Sequence, residues 1–373
     1  MLSAVDPSKV KVLVAMSGGV DSSVTAALLK TQGYNVIGVH MQLSDHTDQN
    51  FEEMGGRCCS IVDSNDARKV CDRLSIPYYV INAEDEFKEA VIDYFVHEYL
   101  QSRTPNPCAE CNTKIKFNYL FQKAEELGCD AVATGHYAQI VYDHKTKLSK
   151  LTKAVDPQKD QTYFLFGLTE SAVSRTFLPL GGLSKMAVRK LAEEYQLVNA
   201  NKEDSMEICF IGKAGYADFI DKNVSEKLRP SGVIQTLDGA TIGEHQGLHH
   251  FTIGQRKGLN LKPQEQHDYF VLGFDRKQNV VLVGPEEYLF KRTLFATHIN
   301  WINPVDQLKP FKCKAKIRSR HEEAVCLVTC FENKTVQVEF DIPQRAITPG
   351  QAIVFYQNNE VLGGGYIEKT LDS

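Results

Sequence analysis

Two cysteines that lie three residues apart are the clearest candidates for chemistry in this sequence. Cys108 and Cys111 fall in "RTPNPCAECNTKIKF" (103–117), between prolines and a lysine-rich segment. A C-x-x-C pair can supply half of a zinc site, form a redox pair, or carry sulfur. A structural zinc site usually takes four ligands as two close pairs, and the sequence has no second C-x-x-C. We therefore expect no metal site of this kind.

The surroundings of Cys111 favour a reactive thiol. Lys114 and Lys116 follow it, and we expect a polar loop that leads into a helix over about 114–127. Nearby cations and a helix N-terminus lower the pKa of a thiol and favour the nucleophilic thiolate. Cys209, in "DSMEICFIG", by itself has the pattern of a buried strand residue. Ordinary burial is also the simplest interpretation of Cys71, Cys129 and Cys313.

A second candidate for chemistry is "SGGVDSS" (17–23). It lies between a strand predicted over 9–15 and a helix predicted over 24–34. Two glycines allow the backbone N–H groups to point into one hollow that the positive end of the helix also faces, so an anion can bind there. The G-K-[ST] and G-x-G-x-x-G patterns are missing. S-G-G-x-D-S is instead typical of pyrophosphate loops, which split ATP between the α and β phosphates.

Strands and helices alternate over the first 200 residues. Strands are predicted over 35–43 and 76–82, and helices over 64–75, 84–101 and 185–197. This alternation favours an α/β fold with a doubly wound parallel sheet. From about Gly212 onward short alternating strands dominate, as in a small barrel or sandwich. We predict three domains: residues 1–212 with the phosphate loop, a central domain over 213–285, and a C-terminal β-barrel over 286–373.

Composition limits the functional classes. The chain has 373 residues, a net charge of −5 and ten cysteines. It has no signal peptide and no apolar run near the roughly 20 residues that cross a bilayer, so we expect no membrane association and a cytoplasmic location. Cytosolic thiols mostly stay reduced, which argues against a secreted disulfide framework. Because the overall charge is negative, any nucleic-acid contact must come from local basic clusters.

One such basic cluster lies in "KCKAKIRSRH" (312–321). The cations fall at every second position, so a strand would place them on one face. They are Lys312, Lys314, Lys316, Arg318 and Arg320. This pattern suits a nucleic-acid backbone, and it is equally typical of an edge strand kept soluble by lysines. "GQRKGL" (254–259) is a second basic turn, or a solvated hairpin tip.

Seven motifs in colinear order carry a resemblance to a known family. They are "MSGGVDSSVTAALL", "TPNPCAECNTKIKF", "ATGHY", "KDQTYFL", "DSMEICFIG", "GEHQGLHHFTIGQRKGL" and "TPGQAIVFY". Together they resemble the tRNA-specific 2-thiouridylases of the MnmA type over almost the whole chain. The resemblance implies a PP-loop sheet of the adenine nucleotide alpha-hydrolase type, followed by a central domain and a barrel that contacts tRNA.

The resemblance also implies a reaction. The C2 oxygen of the wobble uridine, U34, is adenylated with ATP and Mg²⁺, pyrophosphate leaves, and sulfur from a cysteine persulfide replaces the oxygen as AMP departs. By motif, Cys111 corresponds to the nucleophile and Cys209 to the persulfide carrier, and the second cysteine assists by attack or by forming a disulfide as sulfur leaves. The implied partners are tRNA and a sulfur donor protein, either a cysteine desulfurase or a relay carrier. We expect a monomer in the absence of tRNA.

Further residues are carried over by position. Those that resemble ATP contacts are Ala15, Met16, Ser17, Gly18, Gly19, Val20, Asp21, Ser22, Met41 and Gly135. Those that resemble contacts with the flipped-out target base are Asn106, Pro107 and Cys108. Those that resemble tRNA contacts are His136, Lys159, Asp160, Gln161, Arg318, Ser319 and Gln351.

Three alternatives stay open at this point. Many family members carry Asp where this chain has Cys108, so a proton-transfer role does not carry over to that position. Cys108, Cys111 and Cys209 could instead bind an iron–sulfur cluster with one open iron. The loop alone would also fit an amide-forming ligase, which needs neither Cys111 nor Cys209, or a tRNA-binding scaffold with a vestigial loop.

Overall fold

The computed structural model describes residues 5–44, 61–204, 208–259, 261 and 268–371. The strands of this part of the chain are β1 Lys11–Ala15, β2 Asn35–Gln42, β3 Tyr78–Asn82, β4 Ala131–Ala133, β5 Ala138–Asp143, β6 Leu148–Lys153, β7 Thr176–Phe177, β8 Gly232–Thr236, β9 Thr241–His245, β10 Phe270–Asp275, β11 Val280–Gly284, β12 Phe290–Trp301, β13 Phe311–Lys316, β14 Ala324–Phe331, β15 Thr335–Arg345, β16 Ala352–Gln357 and β17 Glu360–Thr370.

Its helices are α1 Val20–Thr31, α2 Ile61–Leu74, α3 Glu84–Phe87, α4 Tyr94–Leu100, α5 Pro107–Glu110, α6 Leu120–Glu126, α7 Glu170–Ser174, α8 Lys185–Glu194 and α9 Tyr216–Asn223. π-Helical segments over Lys88–Asp93 and Cys111–Tyr119 join α3 to α4 and α5 to α6. None of the helices in the described ranges is long and apolar enough to cross a membrane.

The N-terminal sheet is parallel, with the order β3-β2-β1-β4-β7 among the described strands. Its central strand β1 is apolar and fully buried in the middle, because helices cover both faces. The strand order reverses beside β1, and ligands of such sheets bind at this switch point, beyond the carboxyl ends of the strands. The predicted doubly wound parallel sheet is confirmed.

The central part of the chain forms a smaller mixed sheet. Its order is β10-β11-β8-β9 over the residues the structure covers, with β11 and β8 parallel and the outer pairs antiparallel. Its apolar cluster includes Ile234, Val271 and Val281, each fully buried. The domain boundaries near residues 212 and 286 stay predictions.

The C-terminal strands close into a barrel. The order β12-β15-β14-β13-β16-β17 returns to its start because β12 also pairs with β17. Inward-facing side chains such as Leu294, Val338 and Phe355 fill the interior. The predicted barrel is therefore confirmed. The hairpin β5–β6, from the N-terminal part of the chain, pairs with β17 through Thr152 and Glu360 and extends the barrel sheet.

Three local predictions were wrong. The helix expected from Lys114 begins at Pro107, because Asn106 accepts the Ala109 N–H as N-cap and proline suits the first helical position. The C-x-x-C pair is thus helical and does not lie in a loop. Cys209 lies in a turn, outside any strand.

The prediction for the basic cluster over 312–321, that a strand places its cations on one face, was also wrong. Strand β13 ends at Lys316, so the five cations do not share one strand face. Lys312 and Lys314 are exposed, whereas Arg318 turns inward beyond the strand end. Burial lowers the pKa of Lys316, since the strand end lies against the fold.

Candidate active site

The phosphate loop lies where strand β1 ends and helix α1 begins. Gly19 is the N-cap, and Gly18 has φ +76°, a left-handed conformation that favours glycine. A Cβ at Gly18 would clash with the backbone of Asp63, whose Cα would be only 2.7 Å away. The Ser22 hydroxyl donates to the Gly19 carbonyl at 3.0 Å, which fixes the turn. The helix start therefore presents its positive end to the hollow.

The other predicted ATP contacts converge on the same edge of the sheet. Gly135 follows strand β4, and a Cβ there would come within 2.9 Å of Asp21 and Ser22 backbone atoms. The turn after β4 thus packs directly against the first turn of α1. Met41, near the end of β2, is 8% exposed and contributes to an apolar cluster with Leu13 of β1. The structure therefore brings the loops after β1 and β4 together, with Met41 near the carboxyl end of β2.

A lysine that the sequence analysis missed neutralises the acidic residue of the loop. Lys185, at the start of α8, donates from Nζ to both carboxylate oxygens of Asp21 at 2.8 Å. The Tyr137 hydroxyl donates to Asp21 Oδ1 at 2.8 Å. Burial and the Asp21 charge raise the pKa of Tyr137, so that it stays a hydrogen-bond donor. Asp21 is thus held in place by two donors before any ligand binds.

Ion pairs extend from this lysine toward the second cysteine segment. Asp204 accepts from Lys185 at 2.6 Å, from Lys159 at 2.7 Å and from Arg189 at 3.4 Å. Burial alone would raise the pKa of Asp204, but the hydrogen bonds from Lys159 and Lys185 hold it below its ordinary value. Asp204 lies five residues before Cys209. The loop and the segment leading to this cysteine therefore share one charge network.

A second lysine that the sequence analysis missed, Lys202, connects the phosphate loop to helix α2. Lys202 donates to the Gly18 carbonyl at 3.2 Å, to Asp63 at 2.6 Å and to Asp66 at 2.8 Å. Asn199 donates to the same carbonyl at 2.9 Å. These bonds fix the loop against helix α2. The only signal in the sequence was the position of Lys202 just before the "DSMEICFIG" motif.

The cysteines differ in exposure. Cys108, in the first turn of α5, is exposed, whereas Cys111 is 7% exposed at the point where the α-helix becomes a π-helix. Cys111 belongs to the apolar cluster that contains Met41, and the half-buried Cys209 packs against that cluster. The structure thus brings the two predicted cysteines and one predicted ATP contact to a common cluster, although they are far apart in the chain.

The predicted tRNA contacts lie mostly within the fold. His136 is buried, its Nδ1 lies 2.8 Å from the Thr134 hydroxyl, and burial together with the Lys116 charge holds its pKa well below the ordinary value. Gln161 accepts the Tyr137 N–H at 2.8 Å, and Asp160 accepts the Thr162 hydroxyl at 2.6 Å.

The remaining predicted tRNA contacts lie on the barrel. Arg318 donates to the carbonyls of Ile253 and Ala346 at 3.1 Å each, and so joins the barrel to the central domain. Ser319, the next residue, is exposed. Gln351 donates to the Thr104 carbonyl at 3.0 Å, on the segment that leads into the C-x-x-C helix. Arg318 and Gln351 therefore connect domains in this structure.

Models of three protein families match consecutive parts of the chain. They are the "tRNA methyl transferase HUP domain" over residues 10–213, the "tRNA methyl transferase PRC-barrel domain" over 217–285 and the "Aminomethyltransferase beta-barrel domain" over 291–367. The tRNA-specific 2-thiouridylase MnmA of Carboxydothermus hydrogenoformans is 47% identical over 366 residues, which cover 97% of this chain and 98% of the relative. The MnmA of Acetivibrio thermocellus is 45% identical over 97% of this chain and all of its own length.

The chain belongs to the MnmA family of tRNA-specific 2-thiouridylases. Among solved structures, a 4-thiouridine synthetase–RNA complex with bound ATP matches with a TM-score of 0.34 and 16% identity, over 57% of this chain and 50% of its own. The NMN synthetase of Francisella tularensis matches with the same score and identity, over 59% of this chain and 74% of its own. These solved structures are too distant to add to the family assignment.

A group of side chains in the central part of the chain has donor atoms close enough to hold a metal ion. Within the described residues one group of three could meet at a single ion, namely Asp221, His249 and His250. Arg229 donates to Asp221 at 2.7 Å, and its positive charge already neutralises the carboxylate. We therefore assign this group to the packing of α9 against the central sheet.

The structure gives the positions of the three cysteines that an iron–sulfur cluster would use. A cluster would need the thiolates of Cys108, Cys111 and Cys209 in one place. The structure packs Cys111 and Cys209 with one apolar cluster and leaves Cys108 exposed. Cys108 and Cys111 lie three residues apart in one helical segment, so the two-cysteine route and the cluster differ in whether Cys108 takes part.

Proposed function

We propose that this chain makes 2-thiouridine at the wobble position (U34) of tRNA with ATP and sulfur from a persulfide. The observation that carries the proposal is the packing of Cys111 and Cys209 with one apolar cluster on the parallel sheet, the cluster that also contains Met41 near the carboxyl end of β2. The phosphate loop follows the carboxyl end of β1. A member of the MnmA family that has both a phosphate loop and two cysteines on the same sheet has the groups that sulfur transfer to an activated uridine requires.

The loop supports the first half of the reaction. The C2 oxygen of uridine attacks the α-phosphorus of ATP, the bond to the β-phosphate oxygen breaks, and pyrophosphate leaves. The hollow formed by Ser17 to Ser22 and the start of α1 would receive the negative charge of the leaving group. Because Lys185 bonds both carboxylate oxygens of Asp21, we propose that Mg²⁺ enters with the ATP phosphates, whose charge it would neutralise.

The cysteines support the second half. Cys209 would carry the persulfide, and the Cys111 thiolate would attack its inner sulfur, so that a Cys111–Cys209 disulfide forms and hydrosulfide is released. Hydrosulfide would add to C2 of the adenylated uridine, and AMP would leave with the former uridine oxygen. The two thiols are oxidised and the transferred sulfur is reduced, so an external thiol must reopen the disulfide before the next turnover.

The base and the tRNA backbone need their own contacts. At the start of α5, Asn106 and Pro107 are buried and Cys108 is exposed, and we propose that these three residues meet the flipped-out uridine. The proposed tRNA contacts are His136, Lys159, Asp160, Gln161, Arg318, Ser319 and Gln351. Because several of these side chains already bond within the fold, we expect Ser319 and the exposed lysines of β13 to make the first contacts with phosphates.

The proposal includes the partners and the setting. The sulfur donor would be a protein that hands over a persulfide, either a cysteine desulfurase or a relay carrier. The protein would act as a monomer until tRNA binds, and in the cytoplasm, where its substrate is found.

A thiolation assay tests the proposal. The protein is purified without oxygen, its iron is measured, and 2-thiouridine formation is followed with tRNA, ATP and a persulfide donor. Cys111→Ser and Cys209→Ser should abolish thiolation and leave pyrophosphate release in place, whereas Cys108→Ser should stay active. If all three variants are inactive and iron content tracks activity, a cluster replaces the two-cysteine route. Activity without Cys111 would overturn both routes.

A further inference from the structure

The helix that carries Cys111 is bonded to the C-terminal barrel. The Tyr366 hydroxyl donates to the carboxylate of Glu110, the residue immediately before Cys111. Tyr366 lies in the middle of β17, where it pairs with Thr297 on β12 and with Ala352 on β16. A strand that is paired on both sides is a rigid support for this contact.

The same strand holds the chain just before the helix. Arg103 donates to Glu368 at 2.9 Å and to the Ile367 carbonyl at 3.2 Å, so the two residues that follow Tyr366 in β17 hold this segment. Gln351 adds a bond to the Pro105 carbonyl at 3.0 Å. The entry into α5 and its last residue are therefore both fixed by the barrel.

Glu110 is an unusual residue for this place. It is 9% exposed, and its neighbour Ala109 packs into an apolar cluster with barrel residues. A buried carboxylate is costly unless it is hydrogen-bonded. Burial and the Glu110 charge raise the pKa of Tyr366 well above its ordinary value, so the tyrosine stays a donor. The bond is thus a fixed feature of the fold at neutral pH.

The bond falls at a change of helix type. Glu110 is the last residue of α5, and Cys111 is the first of the π-helical segment. Single π-helical segments within helices are frequent at functional sites, because the wider turn redirects side chains. The direction of the Cys111 side chain therefore depends on where Glu110 is held.

We infer that Tyr366 is a positioning residue for sulfur transfer, because its hydroxyl, through Glu110, sets the direction of the Cys111 thiol from the barrel. This inference rests on the proposed function. It adds that the barrel aligns the nucleophile in addition to binding tRNA. Tyr366 does not touch the reacting atoms.

The test compares Tyr366→Phe with two matched variants. Glu110→Gln keeps an acceptor oxygen for the tyrosine. Tyr356→Phe removes the hydroxyl of another buried barrel tyrosine, whose nearest hydroxyl partner is Thr162 at 3.4 Å and which has no bond to α5. Three quantities are measured: the thiolation rate at saturating tRNA, the affinity for tRNA, and the rates at which iodoacetamide alkylates Cys111 and Cys108. Cys108 serves as the internal control because it lies exposed in the same helical turn.

We expect Tyr366→Phe to lower the saturated thiolation rate about 10- to 30-fold, since a displaced nucleophile loses alignment. Affinity for tRNA should change by less than about twofold, and alkylation of Cys111 should rise about tenfold relative to Cys108. Glu110→Gln and Tyr356→Phe should behave as the wild type in all three measurements.

Equal rates and equal alkylation in Tyr366→Phe and Tyr356→Phe would overturn the inference. If the wild type makes no 2-thiouridine, the proposed function fails, and the alkylation ratio still decides whether the barrel positions Cys111. Should Tyr366→Phe not fold, Glu110→Leu removes the other partner of the bond and is measured in the same way. Failure of both to fold would make the bond purely structural and would also overturn the inference.

Discussion

The phosphate loop and the Cys111 helix are shaped by contacts of different range. The loop closes on itself within a few residues, through the bond from Ser22 to Gly19 and the left-handed turn at Gly18. The helix is held by residues more than 200 positions away, at Gln351 and Tyr366. The turn of the phosphate loop can therefore be encoded locally, although Lys185 and Lys202 bond the loop to distant parts of the N-terminal domain, whereas the Cys111 helix depends on the C-terminal barrel.

The largest expected effect comes from the loop. Gly18→Ala forces an L-residue into the left-handed region and drives a methyl group into the Asp63 backbone. We expect tRNA-dependent pyrophosphate release to fall about 100- to 1000-fold, because the loop would lose its anion-binding shape. Gly182→Ala is the matched control, since no atom lies within 4 Å of its added Cβ. Equal activity of the two variants would show that the loop tolerates a different turn.

A smaller effect is expected from the charge network that joins the two regions. Lys185→Met keeps the length of the side chain and leaves Asp21 and Asp204 without their shared cation. Pyrophosphate release should fall about 30-fold, because the remaining carboxylates repel the phosphates. Lys190→Met, on the exposed face of the same helix, should change nothing. If Lys185→Met loses thiolation but releases pyrophosphate normally, Lys185 acts in the sulfur-transfer step and not in the adenylation step.

The third change weakens the long-range support of the helix. Gly350 has φ +88°, and an added Cβ would lie 2.9 Å from the Thr104 nitrogen. Gly350→Ala should lower thiolation about tenfold and the unfolding free energy by about 1–3 kcal/mol. Gly239→Ala has the same φ with no atom within 4 Å of the added Cβ, so it measures the backbone strain alone. Similar thiolation in both variants would contradict a role for this contact in alignment.

The smallest expected effect is on the pH dependence of stability and concerns His136. Its folded pKa lies well below the unfolded value of about 6.5, so the unfolded state takes up a proton first and stability falls as the pH drops below about 6.5. His136→Gln should reduce the slope of unfolding free energy against pH by up to about 1.4 kcal/mol per unit. Urea unfolding between about pH 5.5 and 7.5 measures this slope. An unchanged slope would mean that His136 titrates normally in the folded protein.

The same difference in range explains what the sequence could predict. The loop, its strand and its helix were recognisable because glycines, serines and apolar runs act on near neighbours. The start of the cysteine helix was missed although Asn106 and Pro107 are good capping residues, because lysines suggested a later start. Lys185 and Tyr366 carried no local signal, and Lys202 carried only its position before a motif, since the partners of all three are distant in the chain. The inward turn of Arg318 depends on carbonyls of the central domain and the barrel, which no alternating pattern reveals.

The pairing of hairpin β5–β6 with strand β17 has a consequence for the modularity of the protein. A chain that ended near residue 286 would keep this hairpin but lose its partner strand, together with the ion pair from Lys150 to Glu360 at 2.9 Å. The bared edge of β6 would then be open to pairing with other copies. The barrel therefore cannot be separated from the rest of the protein at residue 286. A barrel expressed alone or moved to another protein needs the hairpin over 138–153 as well, and an N-terminal part that keeps this hairpin without β17 is expected to aggregate.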